Sequence, residues 1–157
     1  ACVDCPLKRS CQARKQGRVS ELPRPKVRAA AKALDVEMLL IRKGPRILLE
    51  QRAEGQALGG LWQLPTRVIG GVGEEGSRLF AEEWSDGLGA GDGPDLGRLR
   101  DGIMRFSIRA RLRPGTARGR KGPALAWFEA EELGGLGLTA MARKALAKLK
   151  DWPPRTD

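Results

Sequence analysis

Histidine is absent from all 157 residues. That removes zinc sites built on two Cys and two His, Ser-His-Asp triads and Cys-His dyads in one step. Acid–base chemistry is left to carboxylates, lysines or thiols. No run of about eighteen apolar residues occurs, so no membrane-spanning helix is predicted. No charged segment followed by an apolar one opens the chain, so no secretory signal is read. Cysteine is scarce: Cys2, Cys5 and Cys11 are the three, all inside "ACVDCPLKRSC". Residue 1 is Ala rather than Met, so the expectation is a processed or excised piece of a longer chain.

What is present is positive charge and enough apolar residue for a core. The hydrophobic fraction is 41%, which supports one ordinary domain with an appendage at this length. The formal net charge is +10, and its distribution is uneven. Residues 1–35 carry nine Lys/Arg against Asp4, Glu21 and Asp35. Residues 104–128 carry seven Lys/Arg and no acid. Two separated basic zones fit a polyanionic partner, most simply nucleic acid, against the plainer reading of a solvated surface.

Residues 2–17 read as a Cys-rich basic loop ending at Gly17. Pro23 and Pro25 in "VSELPRPKVRAAAKA" bias their neighbours to extended backbone, so 18–33 reads as a linker. The compact domain is expected over 34–157. "LDVEMLLI" and "RILLEQR", separated by Gly44-Pro45, predict an antiparallel hairpin. "EGQALGGLWQLPTRVIGG" predicts a short strand inside an ordered loop. Phe80, Trp84 and Leu88 at i, i+4, i+8 predict a helix stopped by Gly87 and Gly89. "GAGDGPDLG" predicts a flexible connection. "MRFSIRARLRP" alternates with period two. Met104, Phe106, Ile108, Ala110 and Leu112 fall on an inward face. Arg105, Ser107, Arg109, Arg111 and Arg113 fall on an outward one. "GTARGRKG" predicts a basic mobile loop and "PALAWFEA" a further strand. "LTAMARKALAKLK" predicts a closing helix with Ala142, Ala145, Leu146 and Leu149 inward. The order predicts an α+β domain on a mixed sheet.

The cysteines are spaced C-x2-C-x5-C. C-x2-C alone is shared by redox, zinc and haem-related sites. The third Cys and the surrounding cations fit iron–sulfur or zinc ligation better, because cationic side chains offset a negative cluster. Zinc on three Cys and Asp4 is awkward, since Asp4 lies between two of the ligands. Three free thiols remain the plain alternative.

"CVDCPLKRSC" followed by "ELPRPK" resembles the end of the catalytic domain of MutY-type adenine DNA glycosylases. That family carries a 4Fe–4S cluster on C-x6-C-x2-C-x5-C, of which this chain matches the last three positions. "ILLEQRAEGQALGGLWQLP" is similar to the family's stretch into its GLW-E-F-P segment, with Gln63 and Leu64 in place of Glu and Phe. "RFSIRARL" is similar to its Phe-Ser-His recognition loop, with Ile108 in place of His. "LAWFEAEELGGLGLTAMARKAL" is similar to its closing strand and helix.

The resemblance implies an α+β, Nudix-like mixed β-sheet flanked by helices. A Cys-rich iron–sulfur loop and a Pro-containing linker would precede it. It implies part of an enzyme that removes adenine mispaired with 8-oxoguanine, with the catalytic carboxylates in an N-terminal catalytic domain outside this chain. Cys2, Cys5 and Cys11 would hold a 4Fe–4S cluster whose fourth Cys precedes residue 1. Phe106 would pack the recognition loop and Ser107 would hydrogen-bond the lesion. From the residues alone, Ser107 is an ordinary outward strand serine. Arg105, Arg109, Arg111 and Arg113 would hold DNA phosphates. The partners implied are double-stranded DNA carrying 8-oxoguanine:adenine and the N-terminal domain, with no membrane, in a bacterial cytoplasm.

Two other functions compete with this one: a standalone Nudix-type pyrophosphohydrolase and a basic protein-interaction module. Active Nudix hydrolases hold divalent metal on a helix reading R-E-U-x-E-E-x-G-U. Arg78, Glu82 and Glu83 match that pattern, but Leu79 stands where a ligand Glu belongs and Ser85 replaces the Gly. Glu82 and Glu83 are therefore expected to be a solvated helix face, and no magnesium-dependent diphosphatase chemistry is expected.

Overall fold

The computed structural model describes residues 2–24, 29–71, 78–118 and 124–149. The chain divides into two units, Ala1–Ala30 and Ala31–Asp157.

In the first unit the Cys-rich segment is not all loop. One helical turn, α1 (Gln12–Lys15), follows Cys11. Gly17, at φ +67°, ends it in a conformation that costs glycine nothing. The Arg18 amide then returns to the Ala13 carbonyl at 2.8 Å. A 3-10 turn over Val19–Glu21 follows, closed by Arg18 on Glu21 at 2.9 Å. The Pro25 part of the expected linker lies outside the described residues.

Among the described residues, the second unit holds nine strands in two sheets. The first sheet comprises β1 (Lys32–Leu40), β5 (Thr66–Gly71), β6 (Leu88–Ala90), β7 (Gly97–Ile103) and β8 (Phe106–Ala117). The long β8 is its spine. On one side β8 pairs with β1 in parallel, and on the other with β7 and β6 antiparallel. β5 is antiparallel to β1, with a register shift at Asp35/Val36. The second sheet is β2 (Arg42–Lys43), β3 (Arg46–Gln51), β4 (Trp62–Gln63) and β9 (Leu125–Phe128), all antiparallel about β3. The sheet is mixed, as the strand order leads one to expect.

The Gly44-Pro45 turn is where it was predicted, but the hairpin it closes is β2–β3. The apolar run splits at Ile41. Residues up to Leu40 belong to the first sheet, and only the next few turn into the second. Where one short strand was expected in the Gly-rich segment, two form, β4 and β5. Gly89 and Ala90, the start of the segment expected to be a flexible connection, belong to β6, and Gly115, Thr116 and Ala117 of the expected basic loop extend β8. The rest of that loop, 119–123, lies outside the described residues.

The predicted helix carrying Phe80, Trp84 and Leu88 is not present over 78–90. Bends and an isolated bridge, Arg67 to Ala81, take its place. The three side chains do not share a stripe. Phe80 is buried in the main core between the sheets, whereas Trp84 and Leu88 pack on a second cluster of Leu39, Ile41, Leu48 and Leu125. Helical spacing here serves two separate cores.

The closing helix, α2 (Ala140–Ala147), forms as expected. Thr139 caps it, its hydroxyl accepting from the Ala142 amide at 3.2 Å. Met141, Ala142, Ala145 and Leu146 are its buried residues. Burying a Leu or Met side chain stabilises by about 1.5–3 kcal/mol, so this face holds the helix in place. No helix among the described residues is long and apolar enough to cross a membrane.

Candidate nucleic-acid interface

The alternation of β8 sorts its side chains as period two requires. Phe106, Ile108, Ala110 and Leu112 are buried and belong to the main core. Ser107 and Arg109 are exposed on the other face, with Arg111 and Arg113 half-buried beside them. Met104 departs from the inward face assigned to it. It sits in the β7–β8 turn at φ +54° and is 86% exposed. The alternation therefore begins at Phe106, and the turn before it reverses the chain.

Pairing sets the neighbours of that outward face. Register places Ala33, Asp35 and Glu37 of β1 beside Ser107, Arg109 and Arg111. It places Gly102, Arg100 and Arg98 of β7 on their other side. Opposed residues in a ladder share a face, so these nine positions form one surface.

The β8 arginines are largely occupied by acids on that surface. Arg109 donates from Nε and Nη2 to the two Asp35 oxygens at 2.6 and 2.7 Å. The hydrogen bond to Asp35 holds the Arg109 guanidinium above its ordinary pKa. Arg111 lies 3.4 Å from Asp95. Arg113 reaches Glu37 at 3.4 Å and Asp95 at 3.8 Å. Glu37 is buried and is also forked by Arg67 at 2.9 and 3.1 Å. Arg67 in turn stacks 4.8 Å over the Trp84 ring. Arg105 lies over Phe106 at 5.9 Å. The expectation that these four arginines reach phosphates has to allow for the acids that Arg109, Arg111 and Arg113 already hold.

Sequence reasoning passed over Arg98 and Arg100. Both are exposed on β7, and neither side chain has an ionic or hydrogen-bond partner among the described residues. The available signal was the alternation Arg98, Leu99, Arg100, one apolar residue long and cut short by Gly102. Lys148 lies against the same strand, donating to the Arg98 carbonyl at 2.7 Å. Lys144 donates to Asp101 at 2.8 Å and to the Arg100 carbonyl at 3.4 Å.

A second polar constellation is internal. Arg52 is buried and donates to the Ala57 carbonyl at 2.7 Å, to Gln63 Oε1 at 2.9 Å and to the Leu79 carbonyl. Its guanidinium also lies 4.9 Å over Phe80. Burial pushes its pKa below the ordinary arginine value, with Glu50 opposing. Gln63, which the glycosylase resemblance sets in place of Glu, is therefore a structural acceptor here.

The diphosphatase pattern is laid out on the neighbouring residues. Glu82 and Glu83 are exposed, while Leu79 is buried in the main core. A carboxylate at position 79 would point into apolar packing.

In the first unit, Cys2 is exposed and Cys5 and Cys11 are partly buried. Thiolate sulfur is the donor that iron–sulfur clusters take, so the chemistry of this set fits. Among the described residues, no three Cys, Asp or Glu side chains gather so that they could hold a metal ion. Sites of this kind are commonly assembled by the metal itself.

No family model matches the chain, and neither does any curated protein. Solved structures do. The MutT protein from Methanosarcina mazei Go1 is 17% identical with a TM-score of 0.58, over 82% of this chain and 100% of that one. The MutT NUDIX hydrolase from Burkholderia pseudomallei is 22% identical with a TM-score of 0.54, over 75% of this chain and 98% of that one. The C-terminal domain of mouse MUTYH, solved in complex with human PCNA, is 17% identical with a TM-score of 0.49, over 80% of this chain and 91% of that one. At such identities the likeness concerns fold alone, and the fold of this chain is the mixed α+β Nudix fold.

Proposed function

We propose that this chain is the lesion-reading part of a MutY-type adenine DNA glycosylase acting in base excision repair. The observation that carries the reading is the placement of adjacent residues in the Phe-Ser motif. Phe106 is buried in the core, and Ser107 stands exposed at the head of the arginine-bearing face. The order of the other motifs along the chain supports the same reading.

The chemistry suits a hydroxyl. 8-Oxoguanine differs from guanine by an added N7–H and O8. A serine hydroxyl both accepts and donates, so it can answer both changes. The role of this part is discrimination, and cleavage of the glycosidic bond falls to the rest of the protein. On the same reading, Cys2, Cys5 and Cys11 join a further cysteine to hold a 4Fe–4S cluster. When bound, the cluster would supply a structural cross-link to the basic segment around it.

The test is Ser107→Ala, read by competition between 8-oxoguanine:adenine and guanine:adenine duplexes. Preference for the lesion is expected to fall about tenfold or more, the scale of one charge-free hydrogen bond left unmade. Affinity for undamaged duplex is expected to hold. Unchanged preference would remove Ser107 from the reading.

Four solved neighbours with TM-scores above 0.5 are named MutT, NUDIX hydrolase or Ap4A hydrolase, which favours a second reading as a nucleotide diphosphate hydrolase. The buried Leu79 weighs against it. Magnesium-dependent hydrolysis of 8-oxo-dGTP by the purified chain would reverse the order of the two readings.

A further inference from the structure

Beside the β8 face lies an open groove of about 1020 Å³. Its floor is the surface of β1, β8 and β7, and its wall is α2. The cations that line it are Arg98, Arg100, Arg109, Arg111, Lys144 and Lys148. Three are matched by acids: Arg109 by Asp35, Arg111 by Asp95 and Lys144 by Asp101. The other three are not. Arg98 and Arg100 have no side-chain partner among the described residues, and Lys148 rests on a neutral carbonyl.

We infer that this groove is the phosphate track of the domain, and that Arg98, Arg100 and Lys148 hold one strand of duplex DNA. The inference rests on the DNA reading above and changes which residues perform the backbone contacts. The argument is charge complementarity in its local form. A guanidinium already forked onto a carboxylate presents little net charge to a polyanion. An unpaired one displaces a condensed counterion in full, and that release drives phosphate binding. Arg98 and Arg100 stand on alternate residues of one strand, so both point to the same face, about 6.8 Å apart along the strand. Ser107 is on that face too, four residues along β8 from Arg98's partner Arg111. A strand laid in the groove would therefore lead toward the serine.

The experiment measures affinity of the purified chain for undamaged duplex as a function of salt. Arg98→Gln with Arg100→Gln is compared with Arg42→Gln with Lys43→Gln, an exposed basic pair on β2 outside the groove. The groove double variant is expected to bind about ten- to a hundredfold more weakly near 0.1 M salt. Its log–log salt slope should be shallower by about 2. Arg98→Lys with Arg100→Lys should restore the slope, because a phosphate contact needs only the charge. The β2 pair should change the slope little.

Equal loss in both glutamine double variants would mean that net charge alone binds DNA, and would overturn the inference. So would an unchanged slope in the groove variant, the outcome expected if an acidic protein were the occupant. Lesion preference reads Ser107 and the salt slope on undamaged duplex reads the groove, so the two ideas can fail separately.

Discussion

Arg109 and Asp35 lie on adjacent parallel strands and lock through two hydrogen bonds, at 2.6 and 2.7 Å. The pair is solvent-accessible, with the Arg109 side chain 57% exposed. An exposed fork adds little to stability, but it does set how much charge the surface shows.

Asp35→Asn is accordingly expected to strengthen DNA binding. It releases Arg109 and deletes an anion from the groove floor. Affinity for undamaged duplex at low salt should rise several-fold, and the salt slope should steepen by about 1. Fluorescence anisotropy across a salt series reads both. A fall in affinity would mean that Asp35 positions Arg109 for a phosphate rather than masking it.

Arg52→Leu is expected to be severely destabilising. The guanidinium is buried and supplies Ala57, Gln63 and Leu79 with their donor. Its removal leaves three acceptors short of a partner, at a cost of about 3–5 kcal/mol. That corresponds to a drop in Tm of about 10 °C or more for a domain of this size. Arg52→Lys should recover only part of it, since one ammonium cannot span three directions held by a planar fork. Thermal unfolding followed by circular dichroism checks both.

Gly87→Ala is expected to loosen the join between β6 and β8. Gly87 has φ +76°, and a Cβ there would meet the Arg118 carbonyl oxygen at 2.2 Å. The Gly87 carbonyl accepts from the Arg118 amide at 2.7 Å, so the clash falls on the bond that aligns the two chains. The cost should exceed about 1 kcal/mol. Hydrogen exchange should show the loss of protection concentrated at residues 88–90 and 115–117, with α2 unaffected.

How much of this was legible in the sequence depended on whether one element answered to one environment. β8 did. Its alternate residues face a core and a surface along most of its length, so period two identified the strand, buried Phe106 and exposed Ser107. α2 did likewise. The segment from Phe80 to Leu88 did not, because its apolar residues serve two clusters and their helical spacing has no helix behind it. Met104 was misplaced for a similar reason: alternation was extended through a turn that inverts it. The ion pairs were beyond reach, since Asp35 and Arg109 are 74 residues apart and meet only through a parallel register. Without those pairs all four arginines of "MRFSIRARLRP" looked alike. The acids that occupy three of them are what shifts attention to Arg98 and Arg100.

The lysines of α2 have a consequence for self-association. β7 borders the first sheet, and a bordering strand ordinarily offers its carbonyls to any extended peptide that arrives. Here Lys148 and Lys144 already sit on the Arg98 and Arg100 carbonyls. On the opposite border, β5 receives Ala81 through the Val68 amide at 2.8 Å, next to the register shift at Asp35. Neither margin presents a clean ladder to a second copy. At these positions the backbone groups that a second copy would need are already taken, which disfavours edge-to-edge templating of the sheet on itself.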